Sequence, residues 1–164
     1  MRDPGEPAIA GKLTIRAGGR KVVLRKHPWE SSRHVLLKAL VFALFVPDYP
    51  DLVVEPPRAE RFRPDVAAFA ADGTPVFWAE CGETGRDKLA WLLKHRPATN
   101  LVLARQGVAL EPWQALVRDL AGGIRRSAPV ELVLVPADAD RFVRPDGAVV
   151  VGRNDVTIVG LEGP

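Results

Sequence analysis

The stretch RPDVAAFAADGTPVFWAECGE, residues 63–83, predicts a β-hairpin with one acidic residue on each arm. Two runs of strand-forming residues flank Asp72-Gly73, a dipeptide that favours a two-residue hairpin turn. Such a turn places Asp65 directly opposite Glu80, with their Cβ atoms about 5 Å apart on one face of the sheet. A bulged turn instead shifts the register by one residue and separates the two acids onto opposite faces.

The two carboxylates need a compensating group, because like charges directly opposite each other destabilise a sheet. An arginine, a shared proton or a metal ion provides such compensation. Carboxylate oxygens suit Mg²⁺ or Mn²⁺, and an ion held there polarises a phosphoryl oxygen and lowers the pKa of a bound water. The alternative to a metal site is a surface network in which Arg61, Arg63 or Arg86 neutralises the acids.

The elements around the hairpin follow the order α, β, β, β, α, β. A mostly apolar helix begins with Ser31 or Ser32 as its N-cap and ends before Pro47. A short strand at residues 52–54, the two hairpin arms, a helix capped by Thr84 and a buried strand at residues 100–104 follow. This order predicts an α/β protein with a mixed β-sheet flanked by helices.

Further elements are predicted on both sides of this core. An N-terminal β-hairpin turns at Gly18-Gly19, a pair suited to positive φ angles. A third helix at residues 111–123 and a strand at residues 130–135 follow the core, and residues 148–159 resemble a closing hairpin that turns near Asn154. We expect residues 1–164 to form a single domain.

The composition indicates a cytoplasmic protein. Cys81 is the single cysteine, so an internal disulfide is excluded. The N-terminal residues 1–12 lack the apolar segment of a signal peptide. The longest apolar run, residues 35–46, is interrupted by Lys38 and is too short to span a bilayer, so no membrane partner is expected.

Basic residues are concentrated in the first quarter of the chain. Residues 1–40 contain nine Lys or Arg and three Asp or Glu, although the net charge of the whole chain is only +3. A basic hairpin in this region favours contact with a polyanion such as nucleic acid. The alternative is a solvated basic surface without a ligand.

Other catalytic patterns are absent from the sequence. It has no Gly-x-x-x-x-Gly-Lys phosphate loop, no Gly-x-Ser-x-Gly elbow and no zinc spacing of Cys and His. The Cys81 side chain points away from that of Glu80 along the strand, which favours core packing over a nucleophilic role. The remaining candidates are three histidines without ligand spacing and three tryptophans expected in the core: His27, His34, His95, Trp78, Trp91 and Trp113.

Two short motifs on neighbouring strands resemble the PD-(D/E)XK nuclease core. Pro64-Asp65 and Glu80-Cys81-Gly82 occur within the predicted αβββαβ order of that restriction-endonuclease-like fold. Within the superfamily, HPWESSRHVLLKALVFAL at residues 27–44 is similar to the first helix of the YaeQ family and its His-Pro-x-Glu lead-in. That family likewise has glycine where the superfamily has lysine. The likeness covers roughly residues 20–105.

The resemblance implies roles for individual residues. Asp65 and Glu80 are the implied ligands of Mg²⁺ or Mn²⁺, with the backbone carbonyl of Cys81 as a third and Glu30 as an acid that completes the site. The sequence departs from the superfamily pattern at Gly82, which has no ammonium group. Lys88 on the following helix is the natural replacement, and Arg86 is the second choice.

Two functions of different classes remain open. The first is a metal-dependent nuclease in which Asp65 and Glu80 hold the ion and Lys88 positions water or stabilises negative charge. The second is a catalytically inactive nuclease-fold module that binds nucleic acid or a protein partner, which the absence of a lysine at position 82 favours. A third, weaker interpretation is a structural protein whose acids pair with arginines.

Overall fold

The observed helices and strands follow the predicted order. The computed structural model describes residues 8–57 and 61–161, so residues 1–7 of the stretch examined for a signal peptide lie outside the described residues. The elements are β1 Lys12–Ala17, β2 Arg20–Arg25, α1 Ser32–Phe45, β3 Val53–Val54, β4 Val66–Phe69, β5 Pro75–Cys81, α2 Arg86–His95, β6 Asn100–Gln106, α3 Leu110–Ala121, β7 Val130–Val135 and β8 Thr157–Leu161.

Strands β3 to β8 form one mixed sheet in sequential order. The β5–β6 and β6–β7 pairs are parallel, whereas β3–β4, β4–β5 and β7–β8 are antiparallel. Phe77, Ala79 and Cys81 on one face of β5 pack in the cluster that contains α1. Trp78 on the other face packs with side chains of α2 and α3. The predicted α/β class, with a mixed sheet flanked by helices, is therefore confirmed.

The β1–β2 hairpin covers the outer side of α1. As predicted, it turns at Gly18-Gly19, and the φ angles of 57° and 71° lie in the left-handed region that glycine favours. Ile15 and Leu24 on its inner face are fully buried against the helix. Helix α1 is consequently apolar on nearly all sides, and Ser31 caps its N-terminus by accepting the His34 N–H. None of the described helices has the length and apolar character needed to cross a bilayer.

The central hairpin keeps the predicted register near the acids but not at its turn. Ala67 lies opposite Trp78 and Ala68 opposite Phe77, as a two-residue turn would require. Beyond Ala68 the register shifts, so Phe69 lies opposite Pro75 instead of Val76. The Asp72 carboxylate accepts the Thr74 N–H, and Pro75 has no N–H to donate to a ladder, so a longer turn replaces the tight one. The bulge does not separate the acids, because it lies at the far end of the hairpin.

Two further expectations were wrong. Helix α2 begins after Gly85, not Thr84, and its N-cap makes no side-chain hydrogen bond. Residues 148–159 do not form a hairpin, because residues 153–155 make a 3₁₀ turn in which Asp155 accepts the Gly152 N–H. The following strand, β8, instead pairs antiparallel with β7 and extends the sheet.

Candidate functional site

Both predicted metal ligands lie at one end of the sheet. Asp65 directly precedes β4, and Glu80 is the next-to-last residue of β5. They line a cavity of about 640 Å³ that is bordered by the first turns of α1 and α2. The described residues that line the same cavity include the cations Arg33, Lys88 and Arg105. The structure therefore brings the two acids together in a basic surrounding.

Asp65 is held by two hydrogen-bond donors. The Cys81 backbone N–H donates to Asp65 Oδ2 over 2.8 Å, and His34 Nε2 lies 3.4 Å from the same oxygen. Burial favours the neutral acid, but the bonds from His34 and Cys81 outweigh it and lower the pKa of Asp65. The same contact with Asp65 outweighs the effect of burial on His34 and raises the pKa of its imidazole. Asp65 is thus stabilised as a carboxylate.

The surroundings of Glu80 disfavour its charged form, whereas those of Asp65 favour the carboxylate. Its side chain is almost completely buried, and burial together with the charge of Asp65 raises its pKa. Lys88 Nζ lies 2.7 Å from Glu80 Oε1, and Trp78 Nε1 donates to that oxygen over 2.8 Å, which offsets the shift only in part. The two acids therefore repel each other. Their oxygens are hard donors, and a divalent cation would relieve this repulsion.

Lys88 reaches Glu80 from α2, as expected if it replaces the lysine missing from position 82. Its ammonium also donates to the Arg63 backbone carbonyl over 3.1 Å. Gly82 has a φ angle of 85°, a conformation that a lysine adopts only with strain of about 1–2 kcal/mol. The backbone itself thus disfavours lysine at position 82. Arg86, the second choice, is exposed on the same helix.

Glu30 is connected to Asp65 through His34. Its carboxylate is buried and lies 2.8 Å from His34 Nδ1, while His34 Nε2 faces Asp65. The Glu30 carboxylate also accepts hydrogen bonds from the His27 backbone N–H and from the Lys38 ammonium. Glu30 therefore supports the candidate site by orienting the imidazole that contacts Asp65.

Lys38 is a buried cation between two acids. Its side chain is fully buried, and its ammonium donates to Glu30 and, over 2.7 Å, to Glu55. Burial opposes the charge, but these two bonds outweigh it and raise the pKa of Lys38. Glu55 has a φ angle of 48°, which is uncommon for a residue other than glycine. Its backbone N–H donates to the Asp65 carbonyl, so this strained residue is tied to the candidate site.

Within the described residues, three potential metal-binding side chains lie within 4.8 Å of one another: His27, Glu30 and Glu55. The Lys38 ammonium donates to both carboxylates of this group. A divalent cation in the same place would be next to a buried positive charge, which is unfavourable. The group is therefore best described as a structural ion-pair cluster.

Cys81 packs in the core, as predicted. Its side chain is 5% exposed and lies in the cluster below α1, where burial raises the pKa of the thiol well above its ordinary value. A thiol in this environment is unreactive. The role of its backbone carbonyl as a metal ligand stays a prediction.

The sequence interpretation missed His34, Lys38 and Glu55. Glu30, just before α1, and His34 and Lys38 on α1 are spaced by four residues, which places their side chains on one side of the helix. That polar row within an apolar helix was a readable signal. Glu55 follows a two-residue strand, and its approach to Lys38 depends on tertiary packing that carries no local pattern.

The comparisons with known proteins concern the fold. No protein-family model matches the sequence, and no curated protein matches it. The YaeQ protein from Pseudomonas syringae matches with a TM-score of 0.61 and 18% identity over 93% of this chain and 94% of that one. The YaeQ protein from Xanthomonas axonopodis pv. citri matches with a TM-score of 0.57 and 18% identity over 90% and 87%.

The chain has a YaeQ-like fold. This confirms the fold half of the resemblance, which the sequence motifs had suggested for roughly residues 20–105. The match extends over most of both chains. At 18% identity a YaeQ-like likeness concerns the fold alone, so the PD-(D/E)XK nuclease assignment stays a prediction.

Proposed function

We propose that the protein is a divalent-metal-dependent nuclease that hydrolyses phosphodiester bonds of nucleic acid. One observation carries the proposal. Lys88 Nζ lies 2.7 Å from Glu80 Oε1 in the cavity that Asp65 also lines, although Gly82 occupies the usual lysine position. The chain therefore contains an acid pair and an ammonium group in one place, which is the chemistry that such a reaction needs.

Asp65 and Glu80 would hold Mg²⁺ or Mn²⁺, with the Cys81 carbonyl as a further oxygen ligand. When bound, such an ion polarises a phosphoryl oxygen and makes a coordinated water more acidic. His34 keeps Asp65 ionised, and Glu30 fixes the orientation of His34. The four-carbon stem of Lys88 is flexible and would let its ammonium turn from Glu80 toward a phosphoryl oxygen.

The basic β1–β2 hairpin supports a polyanionic substrate. Lys12 lies opposite Arg25, and Arg16 lies opposite Lys21, so like charges face each other across the two strands. All four side chains are exposed on the face that points away from α1. Such pairs destabilise a sheet in isolation, and binding of phosphates would relieve their repulsion.

A second candidate function is a catalytically inactive module that binds nucleic acid or a protein partner. The observation that favours it is the pairing of each acid with a cation of the chain itself. His34 faces Asp65 and Lys88 faces Glu80, so the acids are partly neutralised without an ion. Binding without cleavage would distinguish this function from the first.

A cleavage assay tests the nuclease proposal. Labelled single- and double-stranded DNA and RNA are incubated with Mg²⁺, with Mn²⁺ and with EDTA. We expect metal-dependent cleavage that Asp65→Asn and Glu80→Gln abolish. Asp72→Asn is the matched control, because Asp72 lies at the turn of the same hairpin and is fully exposed. Cleavage that persists in both site variants, or in EDTA, would contradict the proposal.

A further inference from the structure

Trp29 is the most exposed large apolar side chain among the described residues. Its relative exposure is 83%, whereas Trp78 and Trp113 are buried and Trp91 is half-buried. The residue lies in the turn between β2 and α1, directly before Glu30. An indole buries a large apolar surface when it finds a partner, so this exposed ring offers a contact surface to a ligand.

The indole is held in place from one side. Its ring stacks on that of His27, with centroids 4.9 Å apart and an angle of 4° between the planes. Two hydrogen bonds between His27 and Glu30 close the turn. The Glu30 N–H donates to the His27 carbonyl, and the His27 N–H donates to the Glu30 carboxylate. Pro28 further restricts the backbone. One face of the indole is thus covered by His27, and little conformational freedom remains to be lost on binding.

Trp29 also lies beside the candidate catalytic carboxylates. It lines a second cavity, of about 670 Å³, together with Arg63, His34 and Asp65. His34 and Asp65 line the cavity of Glu80 and Lys88 as well, so the two cavities adjoin. A nucleic-acid strand with a phosphate beside Asp65 and Glu80 would therefore place a neighbouring base near the indole.

We propose that Trp29 stacks against an unpaired nucleobase, so that the substrate is single-stranded or locally unpaired nucleic acid. This deepens, and rests on, the proposed nuclease function. Aromatic side chains stack on any base because every base has a π-face. In a duplex both faces of an internal base are covered by its neighbours, so stacking on Trp29 requires an unpaired or terminal base. The cations that line the two cavities, among them Arg63 and Lys88, favour a polyanion over an apolar protein segment.

Binding measured in EDTA tests the stacking separately from cleavage. The anisotropy of a labelled single strand and of the duplex with the same sequence is recorded for the wild type, Trp29→Ala, Trp29→Phe and Val150→Ala. Val150 is a matched control, since it is an exposed apolar side chain of an unrelated segment. We expect Trp29→Ala to weaken single-strand binding about tenfold or more, Trp29→Phe to retain most of the affinity, and duplex binding to change little. Indole fluorescence should be quenched by the single strand in the wild type and not in Trp29→Ala.

The outcomes separate this inference from the nuclease proposal. Single-strand binding that depends on Trp29 without any metal-dependent cleavage supports stacking and overturns the nuclease function. Cleavage that depends on Asp65 but is equal in Trp29→Ala and the wild type, with equal single-strand affinity, overturns stacking alone. Equal losses on single strand and duplex, or no binding of either, also overturn stacking. If neither nucleic acid binds, an apolar protein segment becomes the ligand of Trp29 to examine.

Discussion

Glu80 is a charged residue whose surroundings oppose its charge. Burial and the neighbouring Asp65 raise its pKa, so its folded-state pKa lies above that of the unfolded chain. A raised pKa of this kind means that ionised Glu80 lowers stability at neutral pH, and that the penalty disappears as the pH falls below the unfolded-state pKa. This residue therefore reduces stability in the place where it would hold a cation, as functional residues often do.

We expect Glu80→Gln to stabilise the protein in EDTA at neutral pH. The amide keeps the oxygen that accepts the Trp78 Nε1–H and removes the unfavourable charge. A gain of up to about 1 kcal/mol in the free energy of unfolding is the usual size of such an effect. Urea denaturation at neutral and acidic pH measures it, and the gain should vanish in acid. Glu83→Gln, a change at an exposed neighbour, should have no effect. A less stable Glu80→Gln protein would show that the Lys88 ion pair outweighs burial.

At this scale, Asp65, Glu80 and Lys88 were singled out from the sequence, whereas His34 was missed although its four-residue spacing from Glu30 and Lys38 was readable. The acids follow from strand register, and the resemblance to the PD-(D/E)XK nuclease core drew attention to Lys88 on the following helix as the replacement for the lysine missing at position 82. His27, His34 and His95 show no metal-ligand spacing among themselves, so this pattern does not single out His34. Its partners are instead Glu30, one helical turn away, and Asp65, on a different element.

Helix α1 is surrounded by apolar side chains except along one polar row. Glu30, His34 and Lys38 lie on the same side, and Lys38 interacts with Glu55, the residue that follows β3. Removal of one partner from a buried ion pair leaves an uncompensated charge, which is far more destabilising than replacement of the whole pair. The row therefore fixes how α1 is placed relative to the acids.

Lys38→Met is expected to lower the free energy of unfolding by about 3–5 kcal/mol, because it leaves Glu30 and Glu55 without their cation. Chemical denaturation at neutral pH measures the loss. Lys94→Met on α2 is the control, since Lys94 is exposed and its replacement should change stability little. Adding Glu30→Gln to Lys38→Met should restore part of the loss. Equal stability of Lys38→Met and the wild type would show that the buried pair contributes nothing to the fold.

The elements themselves were largely predictable, and their connections were less so. Helix α1 follows from its apolar run between a serine cap and Pro47, and both arms of the central hairpin follow from strand-forming residues on either side of a turn signal. The turn at Asp72-Gly73 is longer than the predicted two-residue turn. The Thr74 N–H donates to the Asp72 carboxylate and Pro75 has no N–H, and both features compete with the tight turn. Strand β8 was assigned to a hairpin because its true partner, β7, is distant in sequence.

In the whole molecule, the candidate site lies where the sheet end meets the first turns of α1 and α2. The N-terminal ends of helices carry partial positive charge, and both of these ends border the cavity of Asp65 and Glu80. Trp29 lies on one side of this region, next to the first turn of α1. Only the assembled fold brings these groups together, since they come from four separate parts of the chain.

The basic hairpin is the surface that we propose contacts a polyanion, and its contribution is measurable through salt dependence. Each phosphate contact with a single strand adds about 0.7 to the slope of log affinity against log salt concentration. We expect Arg16→Gln with Lys21→Gln to lower this slope by roughly twice that value. Relief of the repulsion between these facing cations should at the same time leave the fold at least as stable, so that weaker binding cannot be attributed to unfolding.

Lys94→Gln removes an exposed cation from α2 and serves as the control. Affinity for a labelled single strand, measured in EDTA over a series of salt concentrations, gives both slopes. A slope that the hairpin substitutions leave unchanged would mean that the hairpin is a solvated surface, and the substrate strand would then have to be bound by the cations around the cavity alone. A slope that falls only in the hairpin variant would make the hairpin part of the surface that binds the strand.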